Sequence, residues 1–199
     1  MPAVLDIRLF GSIQLSWDGR PHRFSAPPRT LPLLAYLLLH RSAPVRRDTL
    51  AYVLWPDDDE GEARTNLRRH IYAVARTLPP AADEPWLLVD AKTVRWNPAA
   101  AWQLDVAAFE QLSGSGARAA AAELYTGELL AAVEDEWLLG ERERLGNMQG
   151  ANLAALVEHH RARRELDEAL RCAQRLIAHD PWREDVLRTL IRLRHEAGD

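Results

Sequence analysis

A change in hydrophobic periodicity near residue 100 constrains the fold of this chain more than any other feature of its sequence. Residues 4–24 alternate between apolar and polar side chains, with a turn at Asp18-Gly19, and so predict strands joined by a hairpin. Segments with helical length or spacing follow at 29–40, 49–55 and 62–78. A second pair of alternating runs, 86–97, predicts a last hairpin, and after Pro98 the patterns are helical. The sequence therefore predicts two domains that meet near residues 99–104.

The helical half contains a pattern that is typical of tetratricopeptide-like (TPR-like) repeats. Ala169 and Pro181 stand where such a unit has a small residue and a terminal proline. The segment from residue 183 onward resembles the first helix of a further unit, whose apolar face would lack a partner. We therefore expect this face to associate with another copy or to pack on the first domain. Its members are Val186, Leu187, Leu190 and Leu193.

The sequence predicts a cytoplasmic protein that does not enter a membrane. The longest apolar run, 31–39, is too short to span a bilayer, and the first residues lack the pattern of a signal peptide. The single Cys172 excludes an internal disulfide framework, which fits a reducing compartment.

The sequence offers no motif for catalysis. It has neither a phosphate-binding glycine loop nor a nucleophile elbow nor the ligand spacing of a zinc site. The adjacent His159 and His160 point to different faces of a helix, and no acidic or thiol partner stands at ligand spacing. We therefore expect a protein that is not an enzyme and that has no cofactor and no metal.

The net charge of −4 is unevenly distributed along the chain. Residues 1–103 hold 13 basic and 11 acidic side chains, whereas residues 104–199 hold 12 and 18. Much of the acidity of the first half lies in one short loop, whose members are Asp57, Asp58, Asp59, Glu60 and Glu62. The remainder of the first half is therefore basic, which is compatible with a nucleic acid as partner.

The segment 62–78 has the pattern that bears most directly on function. One stripe of this helix is apolar and consists of Leu67, Ile71, Val74 and Leu78. The opposite face and its flanks carry Thr65, Asn66, Arg68, Arg69, Tyr72 and Arg76. A helix docked only for stability would mix charge signs on its outer face, but from Arg64 onward this helix has no acid. The outer face is therefore a candidate for DNA contact, with an ordinary solvated face as the alternative.

Several motifs of the chain resemble one family of bacterial activators in order and spacing. The first half, with LFGSIQLSWDGR, the LW at 54–55 and ARTNLRRHIYAVARTL, resembles an OmpR-like winged helix-turn-helix of the antibiotic regulatory protein (SARP) type. The second half, with YTGELL, EDEWLLGERERL and HDPWRED, resembles the bacterial transcriptional activator domain that follows it in that family. The resemblance implies a mainly α fold with a small β component. It places a winged-helix domain at 1–100 and an all-α TPR-like domain at 101–199.

The resemblance implies a transcription activator with double-stranded DNA and RNA polymerase as partners. Helix 62–78 would be the recognition helix in the major groove, with Thr65, Asn66, Arg68, Arg69, Tyr72, Ala73 and Arg76 as contact residues. The wing and the start of the second helix would contact phosphates through Arg46, Arg47, Thr49, Lys92, Thr93 and Arg95. The acidic loop would contact polymerase through Asp57, Asp58, Asp59 and Glu60, and helix capping is the alternative role for some of these acids.

The recognition helix departs from the family pattern in its last turns. Ala73 and Ala75 stand where two arginines are usual in the family. Alanine can contact a thymine methyl group but cannot make a bidentate contact to guanine. The departure predicts weaker DNA binding or a homodimer. One alternative is an interaction protein that no longer binds DNA. Another is that the chain is the front end of a larger signalling protein.

Overall fold

The computed structural model describes residues 3–80, 84–181 and 184–197. Its strands are β1 Leu5–Arg8, β2 Gln14–Trp17, β3 Arg20–His22, β4 Val45–Arg46, β5 Leu87–Val89, β6 Thr93–Trp96 and β7 Trp102–Leu104. Its helices are α1 Thr30–Leu39, α2 Arg47–Leu54, α3 Glu60–Thr77, α4 Asp105–Ser115, α5 Arg118–Leu124, α6 Trp137–Ala162, α7 Leu166–His179 and α8 Glu184–Ala197. The predicted fold class, mainly α with a small β component, is confirmed.

The chain forms two compact units that are not simple halves of the sequence. The first unit contains residues 1–106 together with 130–137, and the second contains 107–129 together with 138–199. The compact units thus differ from the division at residue 100 that the sequence predicts. Residues beyond that point contribute both a strand and a separate segment to the first unit.

The strands of the first unit form two sheets. The opening sheet runs β3–β2–β1–β7, with antiparallel pairs except for the parallel pair β1–β7. Asp18 and Gly19 adopt positive φ angles of 50° and 73° at the β2–β3 turn, which fits the predicted Asp-Gly hairpin. The second sheet runs β4–β6–β5, so that the predicted 86–97 hairpin forms and gains β4 as a third strand.

Two short segments differ from the helical pattern that the sequence suggested. Trp102–Leu104 is a strand beside β1, and α4 begins only at Asp105. The Asp105 carboxylate accepts hydrogen bonds from the backbone N–H groups of Leu9 and Phe10, both at 2.9 Å. The run of good helix formers at 117–133 is helical only as far as Leu124, and Leu130 has a positive φ of 46°. The chain therefore turns within a segment that has good helix formers.

Residues 130–137 return to the first unit through backbone and side-chain contacts. The N–H groups of Leu130 and Ala131 donate to the carbonyl oxygens of Leu9 and Gly11, at 2.8 and 2.9 Å. Further along, the Asp135 carboxylate lies 2.5 Å from the Arg29 guanidinium. Hydrogen bonds at one end of the segment and an ion pair near the other attach it to the first unit.

In the second unit α6, α7 and α8 enclose a small apolar core. It consists of Val157, Ala169, Cys172, Ala173 and Leu193, with Leu190 packed against it. Ala169 is fully buried, as the TPR-like pattern predicts for its small residue. The prediction that the apolar face of α8 is uncovered is wrong for Leu190 and Leu193, because α7 packs closely against this helix. Leu187 and Ile191 are exposed, and the side chain of Val186 lies outside the described residues.

Candidate nucleic-acid interface

Helix α3 is fixed at its start by an acid of the preceding loop. The Asp59 carboxylate accepts hydrogen bonds from the backbone N–H groups of Gly61 and Glu62, at 2.8 and 2.9 Å. Such a cap stabilises a helix by about 1 kcal/mol. Farther along the helix, the predicted apolar stripe is buried, and its members are Leu67, Ile71, Val74 and Leu78. The stripe therefore orients the opposite face of α3 toward solvent.

A buried histidine also anchors α3, and the sequence reasoning missed it. His70 is 7% exposed, and its Nδ1 lies 2.8 Å from the hydroxyl oxygen of Thr30 at the start of α1. Burial lowers the pKa of His70, and the charges of Arg69 and Arg29 lower this pKa further. The ring is therefore neutral near pH 7. The sequence signal for this burial is the position of His70 three residues after Leu67, on the flank of the apolar stripe.

The outer face of α3 presents its polar side chains as the sequence predicts. Thr65, Arg68, Arg69 and Arg76 are exposed, and Tyr72 is 62% exposed. The Tyr72 hydroxyl accepts a hydrogen bond from Arg76 at 3.3 Å, and this guanidinium lies 5.7 Å from the centre of the tyrosine ring. Arg68 donates to the Thr65 hydroxyl at 3.2 Å. These contacts are exposed and polar, so both guanidinium groups stay accessible to a ligand.

The remaining predicted contact residues of α3 differ in their availability. Arg69 makes no hydrogen bond or ion pair with residues 3–80, 84–181 or 184–197. Asn66 is partly buried, and its side-chain amide donates to the Asp58 carboxylate at 2.8 Å. Ala73 is also partly buried. Arg69 is therefore the cation of this face that is most open to a new partner.

The start of α2 brings Arg46, Arg47 and Thr49 to the surface next to the wing. The helix begins at Arg47, and Asp48 in its first turn makes no capping hydrogen bond. Instead, the backbone N–H of Arg47 donates to the Lys92 carbonyl at 2.9 Å. The Arg47 guanidinium donates to the Asp90 carbonyl at 3.1 Å. The N-terminal end of α2 and the turn of the wing are thus held together by Arg47.

The wing is the β5–β6 hairpin, and an aspartate organises its turn. The Asp90 carboxylate accepts hydrogen bonds from the backbone N–H groups of Lys92 and Thr93, both at 2.6 Å, and from the Thr93 hydroxyl at 2.7 Å. The Thr93 hydroxyl bond and the two backbone bonds hold the pKa of Asp90 below its usual value. Lys92 is exposed at the tip, whereas Arg95 is partly buried and donates to the Ser42 carbonyl at 3.3 Å. Of the predicted wing contacts, Lys92 is the most accessible.

The acids at and just before the start of α3 have separate roles in the structure. Asp59 caps the helix, Asp58 binds Asn66, and Glu60 lies 2.5 Å from Arg64 one turn along the helix. Asp57 is exposed and has no partner among the contacts of the described residues. Capping and local pairing therefore account for part of this acidic loop, and Asp57 stands apart from those roles.

The described residues contain no other arrangement with obvious chemistry. No group of three or more histidine, cysteine or carboxylate side chains among them could hold a metal ion. Cys172 is a small core residue of the second unit, and its burial raises the pKa of its thiol. In the part of the chain that the structure describes, no helix is long and apolar enough to cross a membrane.

Comparison with known proteins identifies the second half of the chain. The model of the bacterial transcriptional activator domain matches residues 104–199. The transcriptional regulatory protein EmbR of Mycobacterium tuberculosis is 30% identical over 87 residues, which is 44% of this chain and 22% of that protein. EmbR of Mycobacterium bovis matches with the same figures. These matches span about a fifth of the length of either relative.

A solved structure of the same relative has the same fold. Mycobacterium tuberculosis EmbR, in complex with a low-affinity phosphopeptide, superposes with a TM-score of 0.75 at 20% identity, over 96% of this chain and 54% of that one. The fold is therefore shared across nearly the whole chain. The bacterial transcriptional activator domain therefore accounts for residues 104–199, and the fold of EmbR extends over nearly the whole chain.

Proposed function

We propose that this chain is a SARP-type regulator that binds double-stranded DNA in a sequence-specific way and activates transcription. Helix α3 would lie in the major groove, and the β5–β6 wing and the start of α2 would contact the phosphate backbone. The observation that carries the proposal is the outer face of α3, which is exposed, has no acid beyond Arg64 and includes the unpaired Arg69. A docked helix with only a structural role would have acids among these arginines.

The contact residues have different tasks in this proposal. Arg69 reads base edges, with Arg68, Tyr72 and Arg76 beside it. Arg46, Thr49 and Lys92 are exposed and contact phosphates, whereas Arg47 holds the wing turn as well. Phosphate contacts supply affinity and orientation, and base contacts supply the sequence preference.

Selection of bound fragments from random duplex DNA tests this proposal directly. We expect enrichment of a defined motif, and a repeated motif at fixed spacing would show that a homodimer binds. Recovery of unrelated sequences at low salt would indicate a basic protein without base reading. If no DNA is retained, the proposal is wrong and the interaction-protein alternative takes its place.

The acidic loop supports a second part of the proposal, contact with RNA polymerase in the cytoplasm. Asp57 is exposed and takes no part in capping α3 or holding Asn66. We expect Asp57→Asn to reduce activated transcription while DNA affinity is kept or slightly raised, because repulsion from phosphate decreases.

Asp59→Asn is the matched comparison for the polymerase contact. It changes a residue of the same loop that caps α3. Because asparagine is itself a good cap, this variant should keep the helix and its stability. Equal loss of transcription in both variants, with DNA binding unchanged, would show that the whole loop and not Asp57 alone contacts polymerase. Unchanged transcription in both would contradict the contact.

A further inference from the structure

A cleft at the junction of α2, α3 and the wing turn has an unusual mixture of charges. It has a volume of about 340 Å³ and is lined by Arg47, Asp48, Arg64 and Arg68 together with Leu67 and Ala91. Three guanidinium groups around one opening are suited to a phosphate, because each presents donors to its oxygens. The carboxylate among them is the feature that the proposed DNA contact leaves unexplained.

Asp48 binds two of the cations that border this surface. Its carboxylate lies 3.2 Å from the Arg64 guanidinium on α3 and 3.5 Å from the Arg46 guanidinium. The Asp48 side chain is 57% exposed, and the arginine side chains are 51% and 75% exposed. One acid in the middle of the interface thus neutralises cations from two elements.

Stability of the fold accounts for only part of the role of this acid, because Asp48 lies in the first turn of α2, where a carboxylate favours the helix dipole by less than about 1 kcal/mol. Asp48 makes no capping hydrogen bond at the start of α2. Its ion pairs are exposed, and exposed pairs of this kind contribute little to folding. A carboxylate beside three arginines on a DNA-binding face would, however, repel a phosphate and compete with it for the same donors.

We propose that Asp48 competes with a DNA phosphate for Arg64 and thereby limits the affinity of the protein for all DNA sequences. The inference rests on the proposed function and concerns how that interface is regulated. In free protein Asp48 and Glu60 share the Arg64 guanidinium. When a duplex docks, a phosphate enters the cleft and replaces the Asp48 carboxylate at Arg64. Base reading by Arg69 stays unaffected because it lies outside the cleft lining.

The test is Asp48→Asn, which keeps the size of the side chain and removes its charge. Binding to a selected duplex and to an unrelated duplex should tighten by a similar factor, about threefold at moderate salt, with a salt slope steeper by about 0.9. Asp57→Asn is the matched control, since it removes one charge from the same unit without a described contact to Arg64. It should give a smaller increase than Asp48→Asn.

A double-mutant cycle with Arg64→Ala tests the specific contact. In the wild type Arg64→Ala should weaken binding only slightly, because Asp48 and Glu60 already neutralise this cation. In the Asp48→Asn background the same change should weaken binding about threefold, because only Glu60 then competes with the phosphate for Arg64. Thermal unfolding of all four proteins checks that the fold is unchanged.

The outcomes separate the inference from the function on which it rests. If the wild type binds DNA but Asp48→Asn behaves like Asp57→Asn, or the cycle is additive, Asp48 does not compete for Arg64 and the inference is wrong. If the wild type binds no duplex at low salt, the proposed function fails and the inference with it.

Discussion

Arginine side chains have different surroundings in the two compact units of this chain. In the second unit several pair with acids on their own helices, as in Arg161–Glu158, Arg171–Glu168 and Arg188–Glu184. Each pair has the i,i+3 or i,i+4 spacing that stabilises an exposed helix face. In the first unit, α3 has Arg68, Arg69 and Arg76 but no acid after Glu62.

This difference distinguishes a solvated helix from a candidate DNA-binding helix more clearly than charge content does. The second unit is rich in arginine, but acids on the same helices pair with several of these side chains. On α3 only Arg64, in the second turn, pairs with carboxylates, those of Asp48 and Glu60. Farther along the helix, Arg68 has a hydroxyl as its partner and Arg76 has a tyrosine. A phosphate or a guanine can replace such neutral partners at lower cost than a carboxylate.

The largest expected effect comes from giving α3 the pairing of the second unit. Tyr72→Glu places an acid four residues before Arg76 and three residues after Arg69. The new pairs should stabilise the helix by about 0.2–0.5 kcal/mol each. DNA affinity should nevertheless fall by about 100-fold, since the acid occupies the cations and repels phosphate. Fluorescence anisotropy with a labelled duplex and thermal unfolding measure the two quantities.

Tyr72→Gln is the control for the loss of the tyrosine itself. It removes the ring and hydroxyl without adding a charge. A loss of DNA affinity as large as that of Tyr72→Glu would show that the tyrosine, and not the charge pairing, distinguishes this helix.

The next effect concerns the unpaired arginine of α3. Arg69→Ala should cost about 1–3 kcal/mol on the selected duplex and relax the preference at one base position. Stability should change by less than about 0.5 kcal/mol because the side chain is exposed. Arg69→Lys keeps the charge but lacks the planar fork. Full affinity and preference in the lysine variant would show a phosphate contact in place of base reading.

A smaller effect is expected for Arg47, which has a structural partner. Arg47→Ala should weaken binding to every duplex about threefold and reduce the salt slope by about 0.9. It should also lower the free energy of unfolding by about 0.5–1 kcal/mol, because the hydrogen bond to the Asp90 carbonyl is lost. Binding titrations over a range of salt concentrations measure the slope. A loss of affinity for only one DNA sequence would indicate that Arg47 contacts a base.

The smallest effect is expected in the second unit. Arg171→Ala removes an exposed ion pair with Glu168, which should change the free energy of unfolding by about 0.5 kcal/mol or less. DNA affinity should stay at the wild-type value. A clear loss of affinity would extend the DNA-binding surface onto α7 and would end the distinction between the two units.

Periodicity in the sequence was sufficient for the elements that form the proposed interface. The apolar stripe of α3 and the alternation of 86–97 are local patterns, and both elements lie where those patterns predict. The capping role of Asp59 follows a local rule as well. The exposure of Arg69 could therefore be predicted before its surroundings were known.

Non-local contacts account for what the sequence reasoning missed. The Asp48–Arg64 pair joins two helices across 16 positions of sequence, which no helical spacing predicts. The strand Trp102–Leu104 has three residues, and its pairing with β1 depends on a partner about a hundred positions away. The covered face of α8 likewise depends on how α7 packs. Such contacts follow from the assembled fold and not from any window of residues.

The return of residues 130–137 to the first unit has consequences for folding during synthesis and for recombination between genes. Domains of a growing chain generally fold in the order of their synthesis. Here the first unit cannot be completed until α4 and α5 have been synthesised, because its last segment follows them in the sequence. That segment includes Asp135, which pairs with Arg29. A single recombination break between residues 106 and 130 would likewise separate that segment from the rest of the first unit. We therefore expect the two units to be exchanged between proteins as one piece.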